Sequence, residues 1–170
     1  MKYFSILALL VFSIASNAEV IKSEKWNWDL SHKDYAYAAT INDTNRILGQ
    51  YCYYADSTCY YLVSLGITCE TGDEYPSLIN TDSTATTINL ICGHKYNNEN
   101  VFFIKPFDQI DKIVKKSNKV GFAVAMENGE FKVVRFSLNG SSKAIENMLL
   151  GAEAIKENKS VERKVSELYL

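Results

Sequence analysis

All four cysteines of the chain, Cys52, Cys59, Cys69 and Cys92, lie in one stretch of a sequence that opens with an apolar run. No other feature restricts the fold as much. Disulfides persist in oxidising compartments and staple small secreted domains, and four cysteines admit three pairings. Local geometry favours one of them. Residues 47–53 and 59–63 are β-prone runs around the polar turn Tyr54-Ala55-Asp56-Ser57-Thr58. A hairpin with its loop at 54–57 sets residue 53 opposite 58, and therefore Cys52 opposite Cys59. Directly opposed antiparallel residues have Cα atoms ~4.5–5.5 Å apart, a span that a disulfide closes. Cys69 and Cys92 are then left to each other. The spacing C-x6-C-x9-C-x22-C lacks the close cysteine pairs of structural zinc sites and the C-x-x-C of redox enzymes, so neither a metal nor a cofactor is expected.

The start of the chain agrees with an oxidising destination. Lys2 is the only charge before Glu19, residues 3–14 are almost purely apolar, and Ser16-Asn17-Ala18 places small residues where a signal peptidase reads. The run falls below the ~20 residues needed to cross a bilayer, so residues 1–18 are expected to be a cleaved signal peptide. Residues 19–170 should then be a single disulfide-stapled secreted domain with no transmembrane segment. The formal net charge of the whole chain is −2, and loss of Lys2 makes it more negative. That balance argues against nucleic acid, whose binding depends on clustered Lys and Arg. Richness in Lys, Asn, Ile and Tyr points to an AT-rich bacterial genome.

Beyond the hairpin, residues 34–41 alternate with period two, and Trp26 and Trp28 should share one face of an earlier strand, packed in the core. Strands are expected at 65–70, at 88–92 and at 101–105, with 71–87 the least regular part. Pro106-Phe107-Asp108 changes the period: Ile110, Ile113 and Val114 fall on one helical face, with Asp108 available as a cap. Two strands flank Asn128-Gly129, a dipeptide suited to a type I′ turn. A helix with Ala144, Ile145, Met148, Leu149, Ala152 and Ile155 on one face then follows, and residues 158–170 either extend it or fray. The fold class is α+β: an antiparallel twisted sheet of hairpins with a short middle helix and a C-terminal helix, or alternatively a β-sandwich with peripheral helices.

Catalytic signatures are sparse. There is no G-x-S-x-G, Walker loop or G-x-G-x-x-G, and the two histidines are His32 and His94. Asp73, Glu74 and His94 are the nearest candidates for acid–base work, as in a small secreted hydrolase of glycan or peptide. No catalytic residue is otherwise indicated. Tyrosines are more suggestive: Tyr51, Tyr53, Tyr54, Tyr60 and Tyr61 crowd one hairpin. In the register above, Tyr51 faces Tyr60 with Tyr53 adjacent, while Gln50, Cys52, Cys59 and Tyr61 share the other face. Tyrosine gives large contact area at low entropy cost and is enriched at interfaces. Tyr51, Tyr53 and Tyr60 are the candidate interaction surface.

The segment running from Gly121-Phe122-Ala123-Val124-Ala125 through Asn128-Gly129 and Val133-Val134-Arg135-Phe136-Ser137-Leu138-Asn139-Gly140 to Ser141-Ser142-Lys143-Ala144-Ile145 resembles the end of the invasion-associated locus B protein family. In that family a late strand leads into an Ala-containing helix. It also tends to show a cysteine soon after a tryptophan, whereas Trp28 is followed by none until Cys52. The resemblance implies an envelope or secreted protein, with host interaction as one role, and supplies no catalytic residues. The function expected is therefore a non-enzymatic bacterial binding protein, periplasmic or secreted, with host interaction or virulence as its associated role. Its partner would be a protein: an envelope component, a secreted enzyme or a host surface. The hydrolase is the alternative. Intact-mass analysis of exported protein should find a chain that begins at Glu19; retention of residues 1–18, or an added lipid, would refute the cleavage.

Overall fold

Alternation of apolar and polar residues turns most of this chain into strands whose apolar side chains share one side of a sheet. The computed structural model describes residues 21–23, 25–96, 98–126 and 128–168; the leader expected over residues 1–18 and its cut before Glu19 lie outside them. The strands β1 (Ile21–Ser23), β2 (Trp26–Asp29), β3 (Tyr35–Ile41), β4 (Ile47–Tyr53) and β5 (Cys59–Ser64) come first. β6 (Glu74–Thr81), β7 (Ala85–Tyr96) and β8 (Glu99–Lys105) follow, then α1 (Phe107–Lys116), β9 (Lys119–Ala125), β10 (Phe131–Ser137) and α2 (Ser141–Leu168). All ten strands join one sheet in the order β1-β2-β3-β4-β5-β8-β7-β6-β9-β10, and every pairing is antiparallel. The α+β, sheet-dominated class holds, built from one sheet rather than the two of a sandwich.

The sheet curls until its ends meet. Trp26 Nε1 donates to the carbonyl of Ser137 at 3.1 Å, and Asn42 Nδ2 donates to that of Arg135 at 3.0 Å. This brings β10 against the β2–β3 end. The inner face carries Trp26, Leu48, Tyr61, Ile79, Leu90, Phe102 and Phe122, all fully buried, and both helices add to the same core through Ile110, Val114, Ile145 and Met148. Each such side chain contributes roughly 1.5–3 kcal/mol over leaving it exposed. The helical ion pair Lys115–Asp111 at 2.9 Å adds only ~0.3–0.5 kcal/mol, so the inner face decides the fold. Tyr61 ties the sheet to α1, its hydroxyl donating to Asp111 at 2.9 Å. The hydroxyls of Ser141 and Ser142, at the start of α2, donate to the carbonyls of Val114 and Lys115 at 2.6 and 2.7 Å. Two of the carbonyls that every helix end leaves without partners are thereby satisfied.

Several expectations need correction. Residues 65–70 form no strand: the Cys69 N–H turns to Asn100 Oδ1, and the Asn100 N–H turns to the Ile67 carbonyl, so one side-chain bond and one isolated backbone bond replace a ladder. The strand comes later, as β6, inside the stretch expected to be irregular. It accommodates Pro76 because its pairing with β9 begins only at Ser77, leaving it locally an edge where a missing N–H is tolerated. Thr81 closes a tight turn by accepting the N–H groups of Ser83 and Thr84, and β7 runs on to Tyr96, well past the expected end at 92. Asp108 lies in the first turn of α1, but Pro106 is the N-cap position and makes no side-chain cap. The Asn128-Gly129 hairpin is not type I′: among these two only Gly129 has positive φ, at 81°. Its N–H donates to Met126 and Asn128 Oδ1 accepts from Glu130, the three-residue alternative for such a loop. Residues 158–168 continue α2.

Both bridges, Cys52–Cys59 and Cys69–Cys92, are present, and no described cysteine is free. Their loops differ in length, with sequence separations of 7 and 23. On the chain-entropy account, opening the longer loop costs about 1 kcal/mol more than opening the shorter. Denaturant titration should therefore find the Cys69→Ala, Cys92→Ala double variant less stable than Cys52→Ala, Cys59→Ala; the reverse order would count against that account here.

Candidate functional site

The outward face of β3, β4 and β5 turns a row of large aromatic side chains away from the core. Parity puts it there. Because Gln50, Cys52 and Tyr61 point inward and are buried, Tyr51, Tyr53 and Tyr60 point out. Register then lines residues up across strands: Asp29 opposes Tyr37, Tyr37 opposes Tyr51, and Tyr51 opposes Tyr60. One row thus crosses four strands, a carboxylate at one end and three phenols after it. A second row pairs Tyr35 with Tyr53. The other two tyrosines of the hairpin are inside, with the Tyr54 hydroxyl donating to the Leu30 carbonyl at 3.2 Å.

The rings form a continuous belt. Tyr37 and Tyr51 stack at 5.5 Å and 24°, Tyr35 tilts against Tyr51 and Tyr53, and Tyr53 meets Tyr60 edge-on at 6.3 Å. Phe103 of β8 extends it, edge-on to Tyr60 at 5.6 Å. At the other end His32, in the loop after β2, lies flat on Tyr35 with centroids 4.5 Å apart and planes 13° from parallel. Ala39 and Gly49 keep the floor low: a Cβ added to Gly49 would sit 2.6 Å from the Ala39 Cβ. The end of β7 forms an opposite wall, because a register shift between Cys92 and Lys95 carries His94 and Tyr96 over the tyrosines. The result is a cup of about 580 Å³, lined by residues that include Asn27, His32, Tyr35, Tyr37, Tyr51, Tyr53, Ser64, His94 and Tyr96, and among the described residues no Lys, Arg, Asp or Glu enters its walls.

Of the sequence-stated candidates, Tyr51 and Tyr53 line the cup and Tyr60 continues the belt beside it. Tyr53 and Tyr60 are 46% and 39% exposed. Asp73, Glu74 and His94 do not converge on it. His94 lines the cup, but Asp73 and Glu74 are exposed at the start of β6, held there by backbone bonds between Gly72, Asp73 and Cys92. Among the described residues no three His, Cys, Asp or Glu side chains gather as a metal site would require. Sequence reasoning missed Tyr35, Tyr37, His32 and Tyr96. The first two were legible in principle, since the turn at 42–45 sets Tyr37 opposite Tyr51; His32 and Tyr96 depend on a loop and a bulge that no spacing announces.

The phenols sense one another. Burial pushes the Tyr51 hydroxyl up to about 12, helped by the nearby phenols of Tyr37, Tyr35 and Tyr96. Burial likewise raises Tyr35 and Tyr37, with Tyr53 and then Asp29 adding to the first and Asp29 to the second. Asp29 itself is opposed by burial, yet the Ser31 N–H and hydroxyl and the neighbouring His32 outweigh that and hold its carboxyl below the usual range. The hydroxyls of Tyr35, Tyr37, Tyr51 and Tyr96 make no hydrogen bond to another described residue. Chemically the cup offers ring faces and free phenol oxygens beside a carboxylate.

No family model matches this chain, and neither does any curated protein. Among solved structures, invasion associated protein B from Bartonella henselae is similar: 79% of this chain superposes on 99% of that one with a TM-score of 0.59 at 12% sequence identity. The likeness is one of fold. No described helix is long and apolar enough to cross a membrane.

Tyr51 ionises later in the folded chain than in the unfolded one. Its contribution to stability should therefore be complete below pH ~10, the unfolded value, and lost as pH rises through about 12. Chemical denaturation at successive pH values should show this decline, and Tyr51→Phe should flatten it; an unchanged slope in that variant would show that the phenol is not held neutral by its surroundings.

Proposed function

We propose that this chain is an exported bacterial binding protein. It is cut from its leader after Ala18, works as a single stapled domain in the periplasm or outside the cell, and docks a protein partner on its tyrosine face. The observation that carries the reading is the row Tyr37, Tyr51 and Tyr60 on the solvent side of the sheet. Three rings standing where the core does not need them are suited to contact with another molecule. Binding hot spots are rich in tyrosine, which offers a stiff apolar ring and a polar tip. The two disulfides support an oxidising compartment. Likeness in fold to a protein described as invasion associated supports a partner on a host surface, with an envelope component or a secreted enzyme as the other candidates.

The mature protein should retain a specific partner from envelope or host-surface extracts. Tyr53→Ala combined with Tyr60→Ala should lose that retention by at least about tenfold while circular dichroism stays unchanged. Leu78→Ser, at a residue 46% exposed on β6 and outside the cup, should retain it. Equal retention by all three proteins would reject the tyrosine face as the docking surface.

A further inference from the structure

The chemistry of the cup narrows what the partner inserts there. Among the described residues its walls carry no lysine or arginine, only the imidazoles of His32 and His94, while a carboxylate stands at the head of the tyrosine row, Asp29 directly opposite Tyr37. Asp29 accepts from the Ser31 N–H at 2.7 Å and from the Ser31 hydroxyl at 3.0 Å, and His32 Nε2 lies 3.8 Å away. Those contacts fix its orientation and leave lone pairs to spare, since an ionised carboxylate accepts at about four sites. Beside it lie flat ring surfaces, His32 on Tyr35 and Tyr37 on Tyr51. An aromatic face attracts a cation through its quadrupole. Four phenol oxygens, of Tyr35, Tyr37, Tyr51 and Tyr96, have no hydrogen-bond partner among the described residues and add acceptors.

We propose that the cup receives an arginine side chain of the protein partner, its guanidinium stacked on the Tyr37–Tyr51 rings and hydrogen-bonded to Asp29. The proposal rests on the docking role assigned above. Shape and donor count select arginine. A guanidinium is planar, matches ring faces, and has five N–H donors to spend on a carboxylate and several phenol oxygens. A lysine ammonium is a compact point charge that holds its water more tightly. A quaternary ammonium such as choline would take the ring faces, but its nitrogen has no N–H for Asp29 and its single hydroxyl cannot match the fork of a guanidinium.

The test uses the whole mature protein and two peptides of nearly equal shape, acetyl-Gly-Arg-Gly-amide and its citrulline counterpart, in which a carbonyl oxygen replaces one NH2 and so removes the charge and two N–H donors, followed through the tyrosine ring signals by NMR. The arginine peptide should shift the Tyr37 and Tyr51 rings and bind about tenfold more tightly than the citrulline peptide. Asp29→Asn should remove most of that difference while leaving citrulline unaffected, and Tyr37→Leu should weaken arginine binding independently of Asp29. Equal affinity for the two peptides, tighter binding of choline than of the arginine peptide, or no ring shift at millimolar arginine peptide would each overturn the proposal. None of these touches the Tyr53 and Tyr60 retention experiment. If retention is lost there and arginine fails here, the face docks a partner by other chemistry; if retention is unaffected there, the docking role itself falls.

Discussion

Direct opposition of Cys52 and Cys59 decides the parity of the sheet. A β-strand alternates sides at every residue, so slipping β4 by one position would turn its whole inner set outward. Gln50 and Leu48 would exchange places with Tyr51 and Gly49, and the apolar surface that closes the core would face water. A covalent link between opposed residues forbids that slip. From the pinned hairpin, parity propagates in both directions: through the full-length pairing with β3, and through β5 to β8 and then β7. The tyrosine belt and the apolar interior are two readings of one register.

The interior itself is closed by a few polar ties at element ends. Tyr61 reaches α1 through Asp111, and burial with that carboxylate beside it drives its phenol far above the usual range. Ser141 and Ser142 hold the end of α1 against the start of α2, which fixes where the second helix begins and so which of its residues meet the sheet. Ala144, Ile145 and Met148 then sit in the core, and Leu30 packs against Gly151, where even an added Cβ would lie 2.3 Å from it. The helices therefore report on the sheet, and the sheet on the helices, through contacts that only small residues permit.

How much of this could be read from the chain depends on the range of the interaction. The β4–β5 hairpin, with its faces and its bridge, follows from local spacing, and so do α1 and the inward face of α2. The late hairpin is readable as a hairpin, but its turn type is set by which of Asn128 and Gly129 bends, a detail that composition does not carry. Residues 65–70 look like a strand because Leu65, Ile67 and Cys69 alternate. Their backbone is instead claimed by Asn100, far away in sequence. Conversely the polar, proline-bearing stretch of β6 looks irregular, yet it is a strand because β7 and β9 lie beside it. The tyrosine face was half legible for the same reason: Tyr51, Tyr53 and Tyr60 come from one hairpin, while Tyr96 arrives by way of a bulge.

The two ends of the curled sheet meet through Trp26 and Asn42 side chains reaching carbonyls of β10. Among the described residues no backbone ladder joins them. A ladder opens cooperatively, because each rung holds its neighbours in register. Separate side-chain latches let go one at a time, each at the modest cost of a single hydrogen bond, ~1 kcal/mol. The cylinder consequently has a seam. Opening the cylinder costs least along that line, on the side where α2 packs over β2 and β3, and most across the stapled, laddered wall that bears the tyrosines.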